Sequence, residues 1–330
     1  MGDYQRVRPR VFVTQPLAGT ALDRLRAAAD VEVNPDAARI LPKAQLLDAM
    51  AGCDVLCCLL HDRIDAEVID AAPRLRLISN GAISASNVDV THAQRRGIPV
   101  ALIPNIVAET TADLQWALLL AVARRIVEAD RGLRKGLFPG SQSLHFAGAD
   151  IHAATLGTIG LGAIGLGTAR RARGFGMRVL YTKRRRLTAA EEAAEGVAYR
   201  SLEQLLQASD FVVLNAAYTP QTHHLIGAHE LALMKPTAYF VNTARGPMVD
   251  EAALAAALRA GRIAGAGLDV FEDEPRVHPD LLSLENVVLT PHIGSATLQT
   301  RAHIADCIVA NVLTFLKGDV LPRVAVPPDR

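Results

Sequence analysis

The chain has 330 residues, with 35 basic against 34 acidic side chains, a net charge of +1 and 50% apolar residues. That length suggests about two domains at ~100–200 residues each, and the balanced charge gives no general attraction for nucleic acid or anionic lipid. The longest apolar helical stretch, Trp116 to Ala123, falls far short of the ~20 residues that span a bilayer.

The N-terminal Met1-Gly2-Asp3-Tyr4-Gln5-Arg6 lacks the apolar region of a signal peptide, so a cytoplasmic protein without membrane contact is expected. Strand-like Val11-Phe12-Val13 is followed by a helical pattern from Ala21 to Ala29 and by the alternation Val31-Glu32-Val33. Asp54 to Leu60 is followed by Ala66 to Ala71 and then by Leu75-Arg76-Leu77-Ile78. Alternation at this spacing predicts βαβ units and a parallel sheet. Cys53, Cys57 and Cys58 fall in or beside one apolar run and Cys307 stands alone in a helical pattern. Without a C-x-x-C spacing they read as small apolar residues in a reducing compartment, and no metal is expected.

Gly97 to Pro104 reads as a strand closed by a proline. A long, almost wholly apolar helix is predicted from about Val107 to Arg125, with Glu109 and Asp113 early and Arg124-Arg125 late, as the helix dipole favours. Gly136 to Gly148, rich in Gly, Ser and Pro, is the best candidate linker. A second α/β series follows, with strand-like runs at Thr155 to Ile159, Arg178 to Tyr181, Phe211 to Leu214, Ala238 to Val241, Ala266 to Val270 and Val287 to Leu289. A final helix is predicted from about Gln299 to Lys317. The fold class is α/β with two parallel-sheet domains.

Gly160-Leu161-Gly162-Ala163-Ile164-Gly165 directly follows a strand and opens a helix. In that context the first glycine allows a tight turn, the second lets backbone approach a pyrophosphate and the third lets the helix pack on the strand. The N–H groups of Ala163 and Ile164 at the helix start would face the phosphates. The next strand ends in Tyr181-Thr182-Lys183-Arg184-Arg185-Arg186. The acid that would bind a ribose 2′-hydroxyl is missing there, and several cations suit a 2′-phosphate instead. Thr182, Lys183, Arg184 and Arg185 are therefore expected to favour NADP(H), with NAD(H) still usable; the bland alternative is a solvated basic loop.

Three later strand ends carry unusual polar residues, and ligands of open parallel sheets bind at such ends. They are Asn242-Thr243-Ala244-Arg245-Gly246, Asp269-Val270-Phe271-Glu272-Asp273-Glu274-Pro275 and Thr290-Pro291-His292-Ile293-Gly294-Ser295. Arg245 could hold a carboxylate or polarise a carbonyl. His292 could give a proton to the oxygen of a 2-oxo acid as hydride reaches carbon, with Glu274 orienting it and favouring its charged form. Asp269 is better placed to anchor a nicotinamide amide than to move protons. Taken singly, each of these could be a helix-entry charge, a turn residue or a satisfied histidine. Of the other histidines, His61 is retained as a weaker substrate-contact candidate.

The chain resembles the D-isomer-specific 2-hydroxyacid dehydrogenase family from about residue 50 to 315, most strongly at Thr155 to Gly165, Leu225 to Asp250, Gly265 to Pro275 and Thr290 to Thr297. Within the family, the 181–185 segment and Ala149-Asp150-Ile151-His152 look most like NADPH-dependent glyoxylate/hydroxypyruvate reductases, including those called 2-ketogluconate reductases. The resemblance implies that Arg245, Glu274 and His292 are the catalytic trio. It adds Thr111, Ala244 and Gly294 to the cofactor contacts, and Ala82, Ile83 and Ser84, with Arg245 and His292, as substrate contacts. It further implies Rossmann-like and flavodoxin-like domains, a substrate-binding one at 1–104 and 297–330 and a dinucleotide-binding one at 105–296, with the active site in a cleft between them, and a homodimer. D-2-hydroxy acids would be the products.

Three departures stand out. Ile83-Ser84-Ala85-Ser86-Asn87-Val88-Asp89 has Ser84 where the family usually has glycine, which narrows backbone freedom and adds a hydroxyl. Asn215-Ala216-Ala217-Tyr218-Thr219 replaces a His-x-Pro-Leu-Thr-like segment, and Ala163 replaces a frequent arginine. Two other readings share this fold and motif set: a nucleotide-sensing, corepressor-like binding protein, and a dehydrogenase oxidising phosphite or formate.

Overall fold

A computed structural model of the chain describes residues 8–36 and 38–327, so the reading of Met1 to Arg6 lies outside the described residues. The chain forms two compact units, one made of residues 1–106 and 296–330, the other of residues 107–295.

The first unit runs β1 (Arg10–Val13), α1 (Ala21–Ala28), β2 (Asp30–Val33), α2 (Lys43–Met50), β3 (Val55–Cys58), α3 (Ala66–Asp70), β4 (Leu77–Asn80), α4 (Val90–Arg95) and β5 (Val100–Leu102). The five strands pair in parallel in the order β2-β1-β3-β4-β5, the flavodoxin-like order. β3 and β4 are buried at every residue, as a sheet covered on both faces requires. Cys53, Cys57 and Cys58 belong to this buried interior. All four cysteines are free, and burial pushes the Cys53 thiol up to about 11 and Cys57 higher still, which makes them inert packing groups.

The second unit begins with α5 (Ala108–Ala123) and α6 (Ile126–Arg134). It continues through β6 (Thr155–Ile159), α7 (Ala163–Ala172), β7 (Arg178–Thr182), α8 (Ala189–Glu195), β8 (Val197–Tyr199), α9 (Leu202–Ala208) and β9 (Phe211–Leu214). It closes with α10 (Ala228–Leu233), β10 (Tyr239–Asn242), α11 (Glu251–Arg259), β11 (Gly265–Leu268), α12 (Pro279–Leu282) and β12 (Val287–Leu289). Seven parallel strands stand in the order β12-β11-β10-β9-β6-β7-β8. The direction of strand addition reverses between β6 and β9, and a crevice for a ligand opens at such a switch point. Apolar clusters cover both faces: Trp116, Leu119 and Tyr181 belong to one, Phe240, Leu254 and Leu268 to the other. The expected fold class holds: both units are parallel-sheet α/β structures.

The last helix, α13 (Leu298–Lys317), belongs to the first unit. Its backbone and polar residues tie it there: Ser79 donates to the Ile308 carbonyl at 3.0 Å and Asn311 to the Leu102 carbonyl at 3.3 Å. Two expectations need correction. The helix predicted to reach Arg125 stops at Ala123, because Arg125 turns into the left-handed region (φ 52°) before α6 starts. The Gly136 to Gly148 stretch does not join the two units but lies inside the second one, where the Arg125 guanidinium covers the Phe146 ring at 5.5 Å. Among the described residues, no helix is long and apolar enough to cross a membrane.

Candidate active site

The glycine turn sits at the carboxyl end of β6, at the switch point. Gly160 takes φ +94°, and a Cβ there would lie 2.5 Å from the Ala216 amide nitrogen, so the turn presses against the backbone leaving β9. A Cβ on Gly165 would meet the Gly160 carbonyl at 2.5 Å. Around Gly162, by contrast, the position of a Cβ has nothing within 4 Å. Leu166 makes the first bond of α7, to the Gly162 carbonyl at 2.9 Å, so the N–H groups of Ala163, Ile164 and Gly165 have no acceptor within the helix. Open space beside three donors that, among the described residues, are unengaged at a helix start fits a dinucleotide pyrophosphate. Ala163, in place of an arginine, leaves these backbone groups untouched.

A buried polar network supports the turn, and sequence reasoning missed it. Gln115, fully buried on α5, pairs amide to amide with Asn215: each donates to the other's carbonyl oxygen at 3.2 Å. Gln115 also donates to Thr243 at 3.1 Å and accepts from Thr168 at 2.6 Å. Asn215 donates to Thr158, whose hydroxyl donates in turn to the Gly160 carbonyl at 2.8 Å. The signals were present: one amide inside an apolar helix, and Asn215 as a departure from the family pattern.

Past β7, Thr182 and Lys183 are half-buried and Arg184 and Arg185 exposed. Lys183 donates to the Leu161 carbonyl of the glycine turn at 3.2 Å. Among the described residues Arg184 and Arg185 have no ion-pair partner, whereas Arg186 is paired with Glu192.

The three later strand ends converge through backbone contacts. After β10, Asn242 accepts from the Ala244 N–H at 2.9 Å and donates to the Arg245 carbonyl at 3.1 Å, closing a turn. Gly246 then runs so close to the strap after β11 that a Cβ would sit 1.8 Å from the Phe271 carbonyl. Only glycine permits this approach, which brings the Arg245 segment against the one bearing Glu274. Burial lowers the Arg245 guanidinium's affinity for its proton and the Glu274 charge partly restores it.

Glu274 accepts from the Phe271 N–H at 3.0 Å on one oxygen and meets His292 Nδ1 at 2.9 Å with the other. Both side chains are about four-fifths buried, with 22% and 19% of their surface exposed. His292 takes φ +53°, a left-handed conformation unusual outside glycine. Asp269 supplies the reason. Fully buried, its carboxylate accepts from the Thr290 hydroxyl at 2.6 Å and from the N–H groups of Ile293 at 2.8 Å and Gly294 at 2.9 Å. Its carbonyl accepts the His292 N–H at 2.8 Å. Asp269 thus ties down the loop that carries His292, a role the sequence did not suggest. Burial raises its carboxyl above the usual range, opposed by the Thr290 hydrogen bond. An ionised carboxylate has about four acceptor positions, so room for one further donor remains. Thr111 on α5 lies beside this loop, 3.4 Å from the Gly294 carbonyl.

In the first unit, Ala82 is buried and Ile83 and Ser84 half-buried after β4. Their carbonyls accept from Ile103, Arg323 and Asn80 respectively. Among the described residues nothing accepts from their three N–H groups. Ser84 is not in the left-handed region, so the serine is accommodated without backbone strain. His61 is exposed after β3. One unexpected group, His223, His224 and Glu272, offers three ligand-type atoms within 4.8 Å of one another. The two imidazoles stack at 4.1 Å and 17°, so their in-plane lone pairs run parallel rather than converging. His224 instead pairs with Glu272 at 2.6 Å.

Comparison with known proteins decides what this arrangement belongs to. Residues 116–294 match the model of the D-isomer specific 2-hydroxyacid dehydrogenase NAD binding domain. A glyoxylate reductase from Thermococcus gammatolerans is 48% identical over 320 residues, covering 96% of this chain and 95% of that protein. The chain belongs to the D-isomer specific 2-hydroxyacid dehydrogenase family. It is accordingly an oxidoreductase of 2-oxo and 2-hydroxy acids with a nicotinamide-dinucleotide domain. A crystal structure of a Thermus thermophilus protein superposes with a TM-score of 0.89 at 43% identity, over 96% of this chain and 100% of that one. The NADPH-dependent glyoxylate/hydroxypyruvate reductase of Sinorhizobium meliloti, solved with NADP and malonate, does so at 0.79 and 32% identity, over 97% of both chains.

Proposed function

We propose that this dehydrogenase reduces glyoxylate to its achiral 2-hydroxy acid and hydroxypyruvate, with 2-ketogluconate as a further substrate, to D-2-hydroxy acids, and that it prefers NADPH while still accepting NADH. The observation that carries the reading is the His292–Glu274 pair at 2.9 Å, borne by a chain similar throughout its length to glyoxylate reductases. Arg184 and Arg185, exposed and without an ion-pair partner among the described residues, support the NADPH preference, since charge-assisted bonds to a 2′-phosphate need cations not already engaged elsewhere.

A reduced nicotinamide dinucleotide, when bound, would supply the hydride. Glu274 accepts from Nδ1 of His292 and so leaves Nε2 to carry the proton delivered to the substrate's carbonyl oxygen. Arg245 clamps the carboxylate and draws charge toward that oxygen, and its burial strengthens both interactions. Asp269 holds the loop and would offer its remaining acceptor position to the carboxamide of a bound nicotinamide. Thr111, Ala244 and Gly294 line the same side. The backbone N–H groups of Ala82, Ile83 and Ser84 take the substrate carboxylate, and the Ser84 hydroxyl favours a hydroxylated substrate. A homodimer is supported by the exposed Leu133, Leu137, Phe138 and Leu144, apolar surface of the kind that marks an interface.

The testing experiment follows NADPH and NADH consumption over glyoxylate, hydroxypyruvate, pyruvate and 2-ketogluconate. The expected order places the first two ahead with NADPH. Turnover confined to pyruvate, or cofactor reduction by phosphite or formate in place of 2-oxo-acid reduction, contradicts it.

A further inference from the structure

The loop that follows β7 is held closed by a carboxylate on the next helix. Tyr181, fully buried, donates its hydroxyl proton to Glu192 Oε1 at 2.8 Å and accepts the Leu187 N–H at 2.9 Å. Arg186 grips the same carboxylate with two parallel bonds, Nε to Oε1 at 2.8 Å and Nη2 to Oε2 at 3.0 Å. Its guanidinium also lies over the Tyr199 ring at 5.2 Å, and Tyr199 meets Tyr181 edge-on at 5.6 Å. A capping box between Thr188 and Glu191 sets where α8 begins, which places Glu192 in its first turn. The end of the strand and the far end of the loop are thus fastened to one group. Lys183 is engaged with the glycine turn, leaving Arg184 and Arg185 as the loop's unpaired cations among the described residues.

We propose that Glu192 is a positioning residue for cofactor selectivity, gripping Arg186 and Tyr181 and so fixing the 182–188 loop with Arg184 and Arg185 presented to the ribose 2′-phosphate. The proposal rests on the NADPH preference argued above. Its physical basis is preorganisation: a loose loop must be ordered when the 2′-phosphate binds, and that entropy loss weakens NADPH binding alone, because NADH has no 2′-phosphate for the loop to hold. The bidentate arginine–carboxylate fork gives the clasp its directionality.

The test compares Glu192→Ala, Arg186→Ala and the double variant in the full-length enzyme, measuring kcat and KM for NADPH and NADH at saturating glyoxylate. Either single change is expected to raise KM for NADPH about tenfold while the NADH values move less than about twofold, as loss of one preorganised charge-assisted contact would. The double variant should be no worse than Glu192→Ala, since that change already removes the Arg186 fork along with the Tyr181 bond. Glu192→Gln, which keeps one acceptor, should shift KM the same way by less and serves if the alanine variant does not fold. An unchanged or lowered KM for NADPH in Glu192→Ala, equal rises for both cofactors, or additive effects in the double variant overturn the proposal. Wild-type enzyme with equal kcat/KM for both cofactors defeats the NADPH reading itself. A wild-type preference lost in Arg184→Ala but kept in Glu192→Ala defeats the clasp alone.

Discussion

The loops after β7 and β12 leave the same parallel sheet at its carboxyl end, toward its opposite edges, and are built in opposite ways. The first carries exposed cations on a frame held by a single carboxylate. The second is stitched down by a buried aspartate that takes one hydroxyl and two backbone N–H groups, with a histidine forced into left-handed backbone. On the proposed function, the contrast follows from what each would have to do. Recognition of a phosphate is long-ranged and tolerates arginine movement, whereas proton delivery fails if a ring is misplaced by about 1 Å. Substitutions in the second loop should therefore act on kcat, and those in the first on KM for the cofactor.

The sharpest way to probe that division is Glu274→Gln. Glutamine has one acceptor oxygen where glutamate has two, so it can keep the Phe271 bond or the His292 bond but not both. The expected result is a fall in kcat of about 10²-fold, the low end of what a positioned acid–base group contributes, with cofactor binding unchanged. A comparable rise in KM for NADPH would erase the distinction between the two loops. A smaller effect is expected from Arg184→Ala: about a tenfold rise in KM for NADPH and little change in kcat, as befits one exposed phosphate contact. Steady-state kinetics with both cofactors check it, and a drop in kcat alone would place this arginine in the chemistry instead.

The parts of the fold legible in the sequence are those whose signal is contiguous. Strand-like runs such as Thr155–Ile159 and the glycine turn that follows declare themselves locally, and so does the alternation that predicts two parallel sheets. The family resemblance rested on such contiguous motifs, and the comparisons uphold it. What stayed hidden depends on contacts between distant residues. Gln115 meets Asn215 and Thr243 across 100 and 128 residues. Nothing near Arg125 foretells its left-handed turn, so the break between α5 and α6 was invisible. In the site, Arg245, Glu274 and His292 each stood out as polar residues at strand ends, but the strap contact through Gly246 and the anchoring by Asp269 emerge only once backbones are placed. Arg186 looked like one more cation in a basic run until its pairing with Glu192 removed it from that set.

The central claim, that His292 delivers the proton while the rest of the site binds, is met most directly by measuring kcat and the NADPH dissociation constant on one preparation of His292→Ala. The expected kcat is lower by roughly 10³-fold or more, with a dissociation constant matching wild type. Turnover at the wild-type rate, or loss of NADPH binding in step with activity, would contradict it.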